Sequence, residues 1–413
     1  MKMSRMGVKP EKMAPKDAEA VNQKLLTQGG FIFQEMAGAY TFLPLGLLVL
    51  RKIENIIRKH MDKIGSEILM TSLAPVELWK QTGRFETVDV LFKAMAANKI
   101  SEEKSGAEYV LSPTHEEMVT PIAQKFNTSY KDLPMAFYQI QTKFRNEPRA
   151  KSGLLRGREF RMKDLYSFHT SEEDLKTYYE ESKKVYTQIF EELGLGADTM
   201  ITLASGGDFT KDYSHEFQTR CESGEDTIYL NRTSGIAYNK EVMPAGADTD
   251  PNYEEFSACE VGNIFPLGTK FSEAFDYKYT DKNGEQKLVW MGSYGIGPSR
   301  VMGVLVEKFH DENGIIWPKN VAPFKVHLVD LLQQEKAEEI YESLSESGIE
   351  TLWDDREATA GEKFANADLV GCPVRVMVSK RSLDQGGVEV KLRTSAESEI
   401  VPLDKLEGYL RNV

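Results

Sequence analysis

Between Lys143 and His169 the chain reads KFRNEPRAKSGLLRGREFRMKDLYSFH. From Lys143 to Lys163 eight residues are Lys or Arg and only Glu147 and Glu159 oppose them, although the whole chain carries a formal net charge of −13. Apolar residues interrupt the basic ones in strand-like fashion, and Gly153 and Gly157 fall near the middle. A solvated charge run has no need of that alternation. The pattern predicts two strand arms, 142–147 and 159–163, joined by a glycine-containing loop, with arginines facing a polyphosphate. A basic sheet edge without chemistry is the competing reading, and the lysines of the stretch read as solubilising residues.

Working outward, 413 residues are enough for two or three domains, and 41% hydrophobic with 28% charged residues is the composition of a folded globular chain. The longest apolar run, from Phe42 to Leu50, contains Pro44 and Gly46 and is far too short to cross a bilayer. The N-terminus is basic but no apolar stretch follows it, so it does not read as a secretory signal. Cys221, Cys259 and Cys372 are too scattered for a disulfide framework or a structural zinc site, and a reducing, cytoplasmic setting is expected. The acidic balance disfavours indiscriminate coating of nucleic acid. It leaves room for a selective RNA enzyme or a small anionic substrate.

Several periodicities place the remaining elements. A short helix is expected over 13–28. Leu47, Leu50, Ile53, Ile57, Met61 and Ile64 then mark an amphipathic helix that Gly65 ends, followed by a strand closed by Pro75. That helix, strand and proline unit packs a core and is suited to a dimer interface. Ser112-Pro113-Thr114-His115-Glu116 precedes another amphipathic helix, in which Thr114 and Glu116 read either as helix-start residues or as acceptors for a substrate ammonium. Ser171 to Asp174 resembles a capping box ahead of a helix marked by Leu175, Tyr178, Ser182, Val185, Ile189 and Leu193. Ser214-His215-Glu216-Phe217 is a second polar-aromatic cluster at a strand start. Tyr294-Gly295-Ile296-Gly297-Pro298-Ser299-Arg300 opens a helix, but it lacks Gly-Lys-Ser/Thr and is not a P-loop. Residues 314–323 read as a linker. Strands and helices alternate beyond it in an independent α/β domain with eleven basic and eighteen acidic residues, so any RNA contact there must rest on a few side chains.

Taken in order, these strings resemble a class II aminoacyl-tRNA synthetase, and within that class the prolyl-tRNA synthetases of bacterial or organellar type. The motifs that carry the resemblance are Ser112 to Glu116, Phe144-Arg145-Asn146-Glu147-Pro148-Arg149, and Arg158 to Asp164. Ser214 to Phe217, Gly295 to Arg300 and Asp354-Asp355-Arg356 complete the set. The implied fold is α+β: an antiparallel-sheet catalytic domain over 1–313, a linker over 314–323, and a C-terminal α/β anticodon-binding domain over 324–413. The implied reaction joins L-proline to ATP as prolyl-adenylate, releasing pyrophosphate, and then to the proline tRNA, releasing AMP. A homodimer is implied as well.

The resemblance also distributes roles. Arg145 would bridge the proline carboxylate and the ATP α-phosphate, a task suited to a planar fork of donors. Glu147 would hold the adenine amino group or orient the hairpin, Arg156 the outer phosphates, Arg300 the γ-phosphate or adenine, and Phe160 would stack on the base. Thr114 and Glu116 would receive the ammonium, with Phe168, His215 and Phe217 around the proline ring. Glu260 would approach Mg2+ at the β- and γ-phosphates. Asn263 departs from the His common in bacterial relatives, which leaves a fine role for that position open. Arg356, Glu357 and Lys391 would touch the anticodon.

Typical bacterial relatives carry a large editing domain between the hairpin and the glycine turn. The corresponding interval here, about 225–258, is too short, so correction of alanylated tRNA in cis is expected to be absent and a separate deacylase could replace it. Two other readings compete: a threonyl or seryl enzyme of the same class, and a non-catalytic synthetase-like tRNA-binding protein.

Overall fold

The computed structural model describes residues 1–16, 18–207 and 214–413. By compactness the chain divides into two units. One comprises Met36–Ala39 and Glu54–Val304, the other Met1–Glu35, Tyr40–Ile53 and Leu305–Val413.

Among the described residues, nine strands of the first unit form one sheet. They are β1 (Ser66–Glu67), β2 (Met135–Phe144), β3 (Glu159–His169), β4 (Thr199–Ala204), β5 (Ser214–Arg220), β6 (Asp226–Asn231), β7 (Ala237–Asn239), β8 (Tyr253–Gly268) and β9 (Trp290–Ile296). Their order is β5-β4-β7-β6-β8-β9-β3-β2-β1, with a further pairing of β5 to β8. All pairs are antiparallel except β7 with β4 and β1 with β2. The basic stretch forms the β2–β3 hairpin, whose arms run deeper into the sheet than expected but close at the pair Phe144–Glu159, which leaves 145–147 in the loop and not in the first arm. The short interval after Arg220 supplies β6 and β7 to this same sheet.

The principal helices are α1 (Pro44–Met61), α2 (Glu116–Phe126), α3 (Glu172–Glu192) and α4 (Pro298–Lys308). Helix α3 begins where Ser171 accepts the Asp174 N–H at 3.2 Å, carries Glu172, Glu173 and Asp174 in its first turn, and is followed by Gly194 at φ +86°. Leu175, Tyr179, Val185, Tyr186, Ile189 and Phe190 are its buried apolar positions, and Phe217 of β5 packs against Tyr186 and Phe190 with ring centroids 5.1 and 5.5 Å away. The opposite sheet face carries α2, whose Val119 and Ala123 share a core with Tyr166, Phe168, Phe271 and Tyr277.

In the second unit the strands run in the order 351–354, 326–331, 374–379, 387–392, 398–402, the first three parallel and the last two antiparallel. Val326, Leu328, Trp353, Val376, Val390 and Leu406 lie in its core. Residue Lys2 forms a parallel bridge with Trp353 at the sheet edge, and its ammonium sits 4.6 Å from the indole ring.

Two expectations change. The first helix is only Val21–Gln28, because the preceding residues include Pro15 and lack an apolar stripe. Residues 314–323 are not a solvated tether. Ile315, Trp317, Val321 and Ala322 are buried, and the Trp317 indole N–H donates to the Val370 carbonyl at 3.0 Å. Trp317 also packs against Phe31 of the same unit, with ring centroids 5.6 Å apart. No helix among the described residues is long and apolar enough to cross a membrane.

Candidate active site

Strand alternation sorts the chemistry of the first unit onto two faces. On β3, Lys163 meets Tyr186 of α3, while Asp164 and Tyr166 point to the other side, towards Lys143 and Thr114. That second face holds the candidate site.

The hairpin loop is fastened by its own charges. Arg156 donates from Nε and Nη2 to one Glu147 oxygen at 2.9 and 2.8 Å, and from Nη1 to Glu225 at 2.8 Å. Arg158 is turned elsewhere. Its backbone N–H donates to the Gly38 carbonyl at 2.7 Å and its Nε to the Glu147 carbonyl at 3.0 Å, so it latches the loop. Gly38 has φ +76°, and a Cβ there would lie 2.4 Å from Ala150 Cβ, so this contact requires glycine.

Arg300, delivered by the glycine turn at the start of α4, donates to the Leu155 and Glu260 carbonyls at 2.8 and 2.7 Å and to Glu260 Oε2 at 3.2 Å. The other Glu260 oxygen accepts from Asn263 at 2.6 Å. The Arg145 guanidinium lies 5.2 Å from the Phe160 ring centroid. Burial first, and then the neighbouring Arg300, hold Arg145 below its ordinary arginine range. Arg145, Glu147, Arg156, Glu260 and Arg300 line one cavity of about 230 Å³, together with Asp226. Three arginines and four carboxylates thus meet at one cavity, Arg156 and Arg300 paired within it, and Arg145 is the arginine there best placed to meet an incoming anion.

Beside α2 lies a second, drier cluster. Thr114 Oγ1 donates to Glu116 Oε2 at 2.5 Å and Ser293 Oγ to Glu116 Oε1 at 2.9 Å, and the Glu116 side chain is fully buried. Lys143, also fully buried, lies 2.8 Å from Asp164 and 2.5 Å from His115 Nδ1. Burial, and then the Lys143 charge, push His115 down to about 4. Lys143 and Lys163 are therefore internal residues on opposite sheet faces and not solubilising ones.

The same alternation separates residues that were grouped around the proline ring. His215 faces α3, where Tyr179 Oη lies 2.9 Å from its Nδ1, and Phe217 is packed beneath the same helix. Their neighbours Glu216 and Gln218 take the site face: Gln218 donates to Glu216 at 2.9 Å and to Asp226 at 2.8 Å. Burial, and then Glu260, push Glu216 up to about 8. Phe168 is on the site face but wholly buried, packed against Tyr277 at 6.0 Å. The grouping of His215 and Phe217 at a substrate wall is thus corrected by geometry, because period-two alternation turns both under the sheet.

Arg84, Glu117, Ser293, Asp226 and Glu225 also enter this face, and no sequence signal singled them out. In the second unit Arg356 pairs with Asp354, Glu357 is exposed, and Lys391 sits on a strand separated by two others from the one leading to Arg356.

Residues 98–309 match the tRNA synthetase class II core domain (G, H, P, S and T), and residues 321–413 match an anticodon binding domain. The chain is 38% identical over 440 positions to a proline–tRNA ligase of Agrobacterium fabrum, covering 98% of each chain. The chain belongs to the proline–tRNA ligase family. Another member, from Persephonella marina, is 34% identical over an alignment of 570 positions that covers 99% of this chain and 100% of the relative. An alignment so much longer than 413 residues contains long stretches of the relative that this chain lacks.

The solved structure of Giardia lamblia prolyl-tRNA synthetase in complex with prolyl-adenylate superposes with a TM-score of 0.76 at 22% identity, over 94% of this chain and 75% of that one. The Cryptosporidium parvum enzyme complexed with halofuginone and AMPPNP gives 0.78 at 18% identity, over 95% and 76%. These likenesses establish the class II fold.

Proposed function

We propose that the chain activates L-proline with ATP and transfers it to the proline tRNA. The observation that carries this reading is the pairing, on one sheet face, of an arginine-lined cavity with a buried Thr114–Glu116 carboxylate. The first step joins two anions at phosphorus, so fixed cations and positioning are its main requirements. Arg145 would hold the proline carboxylate against the α-phosphate. The carboxylate oxygen forms the new bond to phosphorus and pyrophosphate leaves. Arg156 and Arg300 would hold the outer phosphates and the nucleotide, Glu147 the adenine edge, and Phe160 the base. A ribose hydroxyl at the tRNA 3′ end then attacks the activated carbonyl and AMP departs.

Glu116 and Thr114 would receive the secondary ammonium. Phe168 supports the apolar wall from within the core, and His215 and Phe217, which face helix α3, are not part of it. For Mg2+, Glu260 on this cavity offers one carboxylate, which suits an ion held mostly by phosphate oxygens. The ion would neutralise charge on the β- and γ-phosphates. No group of three or more His, Cys, Asp or Glu that could hold a metal ion occurs among the described residues. That is compatible with an ion brought in by ATP.

We assign anticodon recognition to residues 324–413, with Arg356, Glu357 and Lys391 as candidate contacts at two separate places on that sheet. The short β6–β7 connection leaves no room for a large editing domain between β5 and β8, so proofreading of alanyl-tRNA falls to a separate deacylase if it occurs. A homodimer and a cytoplasmic location complete the proposal. Amino-acid-dependent ATP–pyrophosphate exchange tests it. Exchange driven by proline is expected, whereas exchange driven by threonine or serine alone, or by no amino acid, would overturn it.

A further inference from the structure

Behind Glu116 stands a buried group of three charges. Arg84 is 4% exposed and Glu116 and Glu117 are fully buried. Arg84 Nη1 lies 2.9 and 3.2 Å from the two Glu117 oxygens and 3.4 Å from Glu116. Its guanidinium sits between aromatic rings, 5.3 Å from the centroid of Trp79 and 5.4 Å from that of Phe271. Thr82 Oγ1 donates to Glu117 at 3.1 Å. One cation thus serves two carboxylates. With both ionised, only one of the two carboxylates has a full hydrogen-bonded cation, since Lys143 and Arg145 act on Glu116 only as more distant charges, and burial disfavours that arrangement.

We propose that Glu117 is a positioning residue that gives up a proton when the substrate ammonium arrives on Glu116, so that the buried group is charge-balanced with and without substrate. This rests on the reading of Glu116 as the ammonium acceptor. Without substrate, Glu117 is neutral and Arg84 faces a single carboxylate charge. With substrate, Arg84 and the ammonium face Glu116 and Glu117, while the carboxylate that arrives with the ammonium lies against Arg145. The only bond broken is the Glu117 O–H, and its proton passes to solvent. Burial pushes Glu117 up to about 7 against the pull of Arg84, which places the exchange near neutrality.

Other groups facing the cluster stay in one state across that window. His115 is pushed down to about 4 and remains neutral, Lys143 is paired with Asp164, and burial raises the Tyr166 phenol. Arg145 also acts on Glu116 and remains a cation, while Ser293 and Thr114 do not titrate. The secondary ammonium of proline titrates well above this range.

The test is calorimetric titration of the full chain with L-proline in buffers of different ionisation enthalpy. At pH 6.5 the release of most of one proton per site is expected, and affinity should rise about tenfold from pH 6 to pH 8 before levelling off. Glu117→Gln should abolish the proton release and flatten the pH profile, while Arg84→Lys should retain both. Proline binding with no proton release and a flat profile in the unsubstituted protein would overturn the proposal. So would proton release that persists in E117Q. No proline binding in any buffer would instead overturn the functional reading beneath it.

Discussion

Arg356 closes on Asp354 through two bonds of 2.7 Å, one from Nε and one from Nη2, each to its own carboxylate oxygen. Asp354 is fully buried, and the Arg356 side chain is only 17% exposed. The residue proposed to reach the anticodon therefore also neutralises an internal carboxylate. Arg356→Ala is expected to destabilise the protein by about 3 kcal/mol, since it leaves that charge unpaired. Adding Asp354→Asn should restore most of the stability, measured by denaturant unfolding, without restoring tRNA affinity. Affinity that recovers together with stability would show that Arg356 is structural only.

Arg145 presents the opposite case. Burial and Arg300 disfavour its charge more than Glu260, Glu147 and Glu116 support it, so Arg145→Ala should leave the melting temperature nearly unchanged. Proline-dependent pyrophosphate exchange should fall by about 10²–10³-fold, the scale for losing one donor to developing charge. Exchange above a tenth of the unsubstituted rate would remove Arg145 from the central role.

For Phe217 the expected phenotype is stability and not specificity. Truncation to Ala removes a ring packed between Tyr186 and Phe190, at a cost of about 3–5 kcal/mol. At a temperature where the variant is folded, its KM for proline should match that of the parent. A raised KM with unchanged stability would return Phe217 to the substrate wall.

His327 gives a pH signature in the C-terminal unit. It is 1% exposed, neither ring nitrogen has a hydrogen-bond partner among the described residues, and burial pushes it down to about 4. The unfolded chain binds a proton at its ordinary value while the folded one does not. Its contribution to stability is therefore full above about 6.5 and is lost as pH falls towards 4, with a slope of about 1.4 kcal/mol per unit. His327→Leu should flatten the fall in unfolding free energy between pH 6.5 and 4. An unaltered slope would mean that His327 titrates normally.

Alanylated proline tRNA incubated with the protein should persist as it does in buffer. Rapid deacylation by the purified chain would show an editing activity that the short β6–β7 connection does not suggest.

Much of this protein is legible in one dimension. The β2–β3 hairpin, the capped helix α3 and the C-terminal strand–helix alternation follow from period and punctuation, because backbone conformation is set largely by neighbours in the chain. Arg145 and Arg156 are visible for a related reason, since charge so concentrated against an acidic background points to an anion, whereas Glu147 and Arg300 are singled out only by the resemblance. What the sequence by itself did not determine is which face each side chain takes. In Ser214 to Gln218 the alternation is plain, yet only the docking of α3 on one side decides that His215 and Phe217 go under and Glu216 and Gln218 face the site. Arg84 and Glu117 became partners in the same way. They lie 33 residues apart, and a buried ion pair at that separation exists only once the fold has excluded water from between them.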